Sequence, residues 1–265
     1  MLTNSQSTPS ADDMTQPHWP IRIITLESDA ARRAPLMQRL DELGLTYELS
    51  FGIDGRAGLS PELEARIDRV AADRRRLRPL TDAEFACSMS HRKIYETIIA
   101  RNEPGCIVLE DDAQVGPAFA AFVHSGAYAE FPMLLLDYGA AYVWRTPVPL
   151  GPGLVAHRLA QTPDLATGYT LDRTAAQALL RATDPVCNVA DWPLPLEDLG
   201  AALVMPRLVG HPEKGVLSNI DAARLILEAQ RRSKPRTRYL TTAYWRRFWA
   251  KKRALRLRDG PAQTG

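Results

Sequence analysis

The fold is decided by Cys106-Ile107-Val108-Leu109-Glu110-Asp111-Asp112, a short apolar run that ends in three consecutive carboxylates. Such a run is typical of a buried strand in an α/β sheet, and the ligands of open α/β sheets gather beyond the C-terminal ends of strands. Three adjacent carboxylates repel one another there unless water or a cation neutralises them. The run therefore predicts either a metal site that carries a nucleotide phosphate or an acidic turn that caps a helix.

Short apolar strands alternate with helical patterns along the chain, which predicts an α/β domain with a mainly parallel sheet and helices on both faces. The predicted strands are 21–26, 47–51, 107–109, 133–136, 167–171 and 203–206, and the predicted helices are 30–43, 60–78, 81–99, 117–124 and 173–182. Thr81 and Glu84 match a capping box at the start of the third helix. Many Gly and Pro residues predict loops with short strands over 138–163.

Length and composition fit one globular domain with appendages. We expect a disordered leader over 1–18, which lacks the basic start and apolar centre of a secretory signal, a folded domain over 19–222 and a helical tail over 223–265. No apolar run approaches the roughly 20 residues that span a bilayer. Three cysteines without paired spacing (Cys87, Cys106 and Cys187) argue against a disulfide framework and a zinc cluster, and predict a reducing cytoplasm.

The tail is strongly basic. Residues 224–258 contain 13 of the 33 Lys and Arg residues and a single acid, Glu228. Aromatic side chains recur among these charges, at Tyr239, Tyr244, Trp245, Phe248 and Trp249. Basic flanks with interfacial aromatics predict an amphipathic helix that lies on an anionic membrane surface. The same composition also fits a nucleic-acid-binding segment, or a solvated charged face with a few packed aromatics.

The chain has no GxGxxG and no GxxxxGK[ST] pattern, so a bound nucleotide would depend on metal and side chains to hold its phosphates. Other motifs follow one another in order: Ile24-Thr25-Leu26 with Arg32-Arg33, Ile53-Asp54-Gly55-Arg56, Leu80 to His91, Leu109 to Asp112, Thr167-Gly168-Tyr169, Asp191-Trp192 and Ser218-Asn219-Ile220. In order and spacing they resemble glycosyltransferase family 25, the lipooligosaccharide galactosyltransferases, over residues 21–220. Thr25, Ala83, Ala86 and Asn219 depart from the family's motifs.

The resemblance implies a GT-A fold with its Rossmann-type sheet, a nucleotide-sugar donor, and a divalent metal, usually Mn²⁺ with Mg²⁺ as the alternative. It also implies inversion at the anomeric carbon and, as in bacterial members, addition of galactose to a lipopolysaccharide core. We therefore expect an enzyme that transfers a hexose, galactose from UDP-galactose, to a glycolipid or oligosaccharide on the inner face of the cytoplasmic membrane, with no nucleic-acid partner. The alternatives are a catalytically silent sugar-nucleotide-binding relative and a metal-dependent phosphotransfer enzyme.

The resemblance also implies site residues. The expected donor-binding residues are Thr25, Arg32, His91, Glu110 and Asp111, and the expected metal ligands are Asp112 and Glu110. Strand alternation predicts that Glu110 lies on the same side as Asp112. Arg32 opens the first helix, where an arginine can bind a diphosphate bidentately or remain an exposed charge. For His91 the alternative is a structural histidine.

Inverting transfer needs a base that takes the proton of the acceptor hydroxyl. Asp191 is the first candidate because it lies in a Pro-rich loop late in the domain, and Glu197 and Asp198 are nearby substitutes. Glu84 is a second candidate catalytic residue, although its capping box already explains it. Trp192 is expected to stack on the face of an acceptor sugar. The alternatives for the Asp191-Trp192 pair are a turn aspartate and a buried tryptophan.

Overall fold

A computed structural model describes residues 18–212, 227, 229, 232–233, 239–257, 262 and 264. The strands are β1 (Ile21–Thr25), β2 (Tyr47–Phe51), β3 (Gly105–Glu110), β4 (Gln114–Val115), β5 (Met133–Leu135), β6 (Ala141–Gly151), β7 (Leu154–Gln161), β8 (Gly168–Asp172), β9 (Ala202–Met205), β10 (Val209–Gly210) and β11 (Leu255–Leu257). The helices are α1 (Ala30–Glu42), α2 (Pro61–Glu64), α3 (Arg69–Arg76), α4 (Asp82–Ala100), α5 (Pro117–Ser125), α6 (Arg173–Ala182) and α7 (Thr242–Arg253). None of these helices is long and apolar enough to cross a bilayer.

Nine strands form one sheet in the order β11-β6-β7-β9-β5-β8-β3-β1-β2, and β4 pairs separately with β10. β1 is parallel to both β2 and β3, whereas β8 runs antiparallel between β3 and β5. Followed through all pairs, six strands (β1, β2, β3, β5, β6 and β9) point one way and β7, β8 and β11 the other. The predicted α/β fold is therefore confirmed, with a sheet that is mixed at β8 and beyond β9.

Helices cover both faces of the sheet, as predicted. On one face, α1 and α5 pack with Ile21 and Ile23 of β1 in a first core. On the other face, α4 and α6 pack with Ile24 in a second core. Each apolar side chain buried in this way contributes about 1.5–3 kcal/mol. The two cores fix the start of α1 and one side of α4 beside the end of β3, where the carboxylates lie.

Two predictions of secondary structure are wrong. The region 138–163 is not loops with short strands but the long antiparallel hairpin of β6 and β7. Its prolines, Pro147 and Pro149, lie beyond 141–143, the segment of β6 that pairs with β11, so their missing N–H groups break no ladder on that edge. The region 60–78 is not one helix, because the chain breaks at Ile67, which bridges Val186.

The basic aromatic tail contains α7, followed after one residue by β11. β11 was not predicted; it pairs with β6 and extends the sheet at that edge. Side chains also join the tail to the domain: the Gln161 amide donates to the Arg247 carbonyl, and the Lys251 ammonium lies over the Tyr142 ring. Residues 1–17 of the predicted leader, the Ser218-Asn219-Ile220 motif and most of 221–238 lie outside the described residues.

Candidate active site

The three carboxylates lie at the C-terminal end of β3, next to the end of β1, because Glu110 is in register with Ile24. Asp111 and Asp112 follow the strand and both contact Arg32, the side chain that α1 presents there. The Arg32 Nε lies 2.8 Å from Asp111 Oδ1, and its Nη2 donates to Asp112 Oδ2 at 2.6 Å. The hydroxyl of Thr25, the last residue of β1, donates to Asp111 Oδ2 at 2.9 Å.

Burial raises the pKa of both Asp111 and Asp112 above the usual range of an aspartate. For Asp112 the charge of Glu110 acts in the same direction, and the opposing effect of Arg32 does not cancel the rise. The second oxygen of Asp112, Oδ1, is buried without a hydrogen-bond partner among the described residues. A hard divalent cation prefers carboxylate oxygens, so this cluster fits such an ion.

Glu110, the last residue of β3, reaches α4, and its charge also acts on Asp112. Its Oε1 is 3.3 Å from Nε2 of His91, and the other ring nitrogen of His91 is 2.9 Å from the Tyr169 hydroxyl. β3 ends at Glu110 and the following residues form a turn, so strand alternation does not extend to Asp112, and the placement of Glu110 on the same side as Asp112 stays a prediction. His91 is only 1% exposed, so its neighbours hold it firmly.

Glu84 does not fit the catalytic role considered for it. It is buried and forms a bidentate ion pair with Arg78, at 2.6 and 2.9 Å, and it also accepts from the Thr81 backbone N–H. The capping box predicted from the sequence is present. Both Glu84 oxygens are therefore committed to stabilising the start of α4 and the buried guanidinium, and neither is left to accept a substrate proton.

Asp191 and Trp192 lie near the same end of the sheet. The charge of Asp191 adds to the effects of burial and of Glu110 that raise the pKa of Cys87 well above its usual value. Trp192 is 7% exposed and packs edge-on against Tyr169, with ring centroids 5.0 Å apart. Trp192 thus belongs to the second core, which leaves little of its ring for a sugar.

A second polar cluster was not predicted from the sequence. Asp137, fully buried at the end of β5, accepts hydrogen bonds from Arg207 at 3.0 Å and from Nδ1 of His211 at 2.7 Å. His211 directly follows β10, which pairs with β4 immediately after the acidic turn. The only signal in the sequence was that the strand at 133–136 ends in an acid. No local sequence pattern linked Asp137 to a histidine 74 residues later.

A cavity of about 790 Å³ opens beside the acidic turn. Arg32, Arg39, Asp111 and Asp112 contribute its polar lining, and Thr264 contributes to its wall. Ligand-binding clefts typically occupy about 300–1,000 Å³, so the cavity has room for a nucleotide-sized ligand. Carboxylates beside arginines in one cavity can bind a metal–diphosphate complex, since the cation binds the acids and the guanidinium binds phosphate.

Comparisons with known proteins find a family model and related sequences. The sequence model of "Glycosyltransferase family 25 (LPS biosynthesis protein)" matches residues 18–146. A "Glycosyltransferase 25 family member" of Aedes aegypti is 35% identical over 102 residues, which are 37% of this chain and 17% of that protein. "Procollagen galactosyltransferase 1" of Danio rerio is 26% identical over 169 residues, which are 60% of this chain and 28% of that protein. The chain thus spans less than a third of either relative.

Proposed function

We propose that this chain is an inverting hexosyltransferase of glycosyltransferase family 25 that uses a nucleotide-sugar donor, because the family's model matches residues 18–146 and a relative that carries the family name is 35% identical over 102 residues. Galactose, from UDP-galactose, is the proposed sugar, because one relative of this chain is named a galactosyltransferase. The observation that carries the proposal is the meeting of Asp111, Asp112 and Arg32 in one cavity at the C-terminal ends of the strands.

We propose that Asp112 and Glu110 hold a divalent cation, Mn²⁺ or Mg²⁺. The unpartnered Oδ1 of Asp112 supports this choice, as do the raised pKa values of Asp111 and Asp112, which indicate that their charges lack full compensation. When bound, the cation supplies Lewis-acid stabilisation of the departing nucleoside diphosphate. Arg32 donates its guanidinium hydrogens to the diphosphate, and Thr25 holds Asp111 in position.

Asp191 is the proposed base for the acceptor hydroxyl. Its charge acts on Cys87, as the charge of Glu110 does, which supports a position beside the donor, and Glu84 is excluded by its ion pair with Arg78. The proposed acceptor is a lipopolysaccharide-type glycan or a related oligosaccharide. We further propose that the basic aromatic tail binds an anionic membrane surface, which would bring the enzyme to a lipid-linked acceptor at the inner face of the membrane.

One observation favours a second candidate function. Arg32 already pairs with both aspartates of the acidic turn, and a fixed guanidinium neutralises carboxylates without a metal. A protein that binds sugar nucleotides but does not transfer the sugar would need only this neutralisation by Arg32 and no metal. The two candidates differ in whether a divalent cation strengthens binding of the diphosphate.

Isothermal titration with UDP, with and without Mn²⁺, tests the proposal. We expect binding that Mn²⁺ strengthens at least tenfold, together with slow hydrolysis of one donor in a panel of UDP- and GDP-sugars. Binding that is equally strong without the metal, and no hydrolysis of any donor, would establish the silent relative instead. Release of inorganic phosphate from the nucleotide in the absence of an acceptor would point to phosphotransfer.

A further inference from the structure

Three potential metal ligands of different chemistry converge beside the acidic turn. The Cys87 sulfur, a His91 ring nitrogen and a Glu110 carboxylate oxygen all lie within 4.8 Å of one another. Cys87 and His91 are one turn apart on α4, so both side chains lie on the same face of the helix, opposite the end of β3. The spacing of the cysteines gave no sign of this site, because only one of its ligands is a cysteine.

The distance between the ligand atoms of His91 and Glu110 matches coordination to a tetrahedral metal ion. Ligand atoms that are each about 2.0–2.1 Å from a tetrahedral Zn²⁺ are about 3.3 Å apart. Nε2 of His91 and Oε1 of Glu110 are separated by 3.3 Å. A zinc-bound sulfur would be about 3.5 Å from each of them, so each of the two distances from the Cys87 sulfur needs to shorten by no more than about 1.3 Å.

The surroundings of His91 hold the ring in the orientation that a ligand needs. With a metal on Nε2, the ring proton is on Nδ1, which donates to the Tyr169 hydroxyl at 2.9 Å. Metal-bound histidines regularly make such a second hydrogen bond, which fixes the tautomer and the ring plane. Tyr169 is itself fully buried and packs against Trp192, so packing holds its hydroxyl in position.

We propose that Cys87, His91 and Glu110 form a binding site for a zinc-class divalent ion, with the fourth coordination position open to water or a ligand. A thiolate and an imidazole select softer ions such as Zn²⁺ over Mn²⁺ and Mg²⁺, which prefer oxygen. The site is therefore distinct in chemistry from the proposed donor cation site, with which it shares Glu110. The proposed site does not depend on sugar transfer, because its test measures binding of the ion and not transferase activity.

Titration of the metal-free, untagged full chain with Co²⁺, followed by absorption spectroscopy, tests the site. We expect one Co²⁺ per chain, with a near-ultraviolet thiolate-to-cobalt charge-transfer band and the intense visible bands of a tetrahedral ion, and we expect Zn²⁺ to displace it. Cys87→Ser should abolish the charge-transfer band. Cys187→Ser is the control, since Cys187 is a buried free cysteine outside the cluster, and the spectrum of this variant should be unchanged.

Tyr169→Phe keeps the ring and removes only the hydroxyl that orients His91. We expect it to weaken Co²⁺ binding about 10- to 100-fold while the charge-transfer band persists at saturation. Circular dichroism confirms folding of each variant. If Cys87→Ser does not fold, Glu110→Gln, at the more exposed end of the cluster, tests the site instead, and it should weaken Co²⁺ binding at least tenfold; unchanged Co²⁺ affinity would overturn the proposal. A wild-type protein without the band, or a band that survives in Cys87→Ser, overturns the proposal whatever the transferase assays show.

Discussion

The aspartates of the acidic turn lie in surroundings that disfavour their charge. Arg32 compensates them only in part, which leaves Asp112 Oδ1 as the oxygen that a cation would bind. We expect Asp112→Asn to abolish the increase in UDP affinity caused by Mn²⁺ and to reduce donor turnover at least 100-fold. Asp164→Asn, at an exposed position, is the control and should behave as wild type. Full activity in Asp112→Asn would show that the metal assignment is wrong.

The raised pKa of Asp112 has a consequence for stability. A carboxyl group with a higher pKa in the folded state binds its proton more readily there than in the unfolded chain, so its contribution to stability rises as the pH falls through the raised pKa. Without divalent cations, the melting temperature of the wild type should therefore rise relative to that of Asp112→Asn as the pH is lowered from 7 towards 4. A difference that is constant with pH would contradict the shift.

Glu84 stabilises the fold, in contrast to the catalytic role considered for it. Glu84→Gln removes the carboxylate charge from the buried ion pair with Arg78, and removing one partner of a buried ion pair typically costs about 3–5 kcal/mol. Urea unfolding should show a loss of this size, whereas Glu62→Gln, at an exposed position on α2, should change the free energy of unfolding by less than about 0.5 kcal/mol. A stable but inactive Glu84→Gln would restore the catalytic assignment.

At the scale of elements, local sequence patterns predicted the helix and strand ends that depend on interactions between neighbouring residues. The sequence predicted β2 and α6 with their observed ends, and the capping box predicted the start of α4, because these patterns act over a few residues. The hairpin of β6 and β7 was missed because its Gly and Pro residues suggest loops. What makes them strands is pairing with β9 and β11, which lie far away in the chain.

Helix α7 exposes large apolar side chains among its charges, with Trp245 47% and Trp249 54% exposed. If the helix binds membrane through these rings, the double variant Trp245→Ser with Trp249→Ser should bind vesicles of anionic lipid at least tenfold more weakly in a sedimentation assay. Trp144→Ser is the matched control, since Trp144 is similarly exposed, on β6. Binding that the double variant retains in full would locate the interaction elsewhere or leave it to charge alone.

At the scale of the whole molecule, β11 protects an edge of the sheet. It covers residues 141–143 of β6, and an uncovered edge offers unpaired N–H and C=O groups to other chains. A chain that ends at Ala254 should aggregate on heating and melt at a lower temperature, as measured by light scattering and calorimetry. A chain that ends at Leu257 keeps β11 and should resemble the full chain in both measurements. Equal behaviour of the two would show that the pairing contributes little.

Sequence patterns predicted only part of the candidate site. The acidic turn was recognisable because its three acids are adjacent, and Arg32 because it opens the helix after β1. The approach of Cys87 to Glu110, and of Asp137 to His211, depends on how α4 and β10 pack against the sheet. Contacts between residues far apart in the chain leave no local pattern, so only the folded arrangement reveals them.

One residue, Ala254, separates the last residue of α7 from the first residue of β11. A helix joined so closely to a sheet strand, and held to the domain through Gln161 and Tyr142, has less freedom to swing than a tethered anchor. On a membrane, such an attachment would hold the cavity beside the acidic turn at one height and one tilt above the lipid headgroups. In the proposed transferase, acceptors would then be selected by their height above the membrane. A glycan would be extended only when its free end lies at the same distance from the bilayer as the cavity.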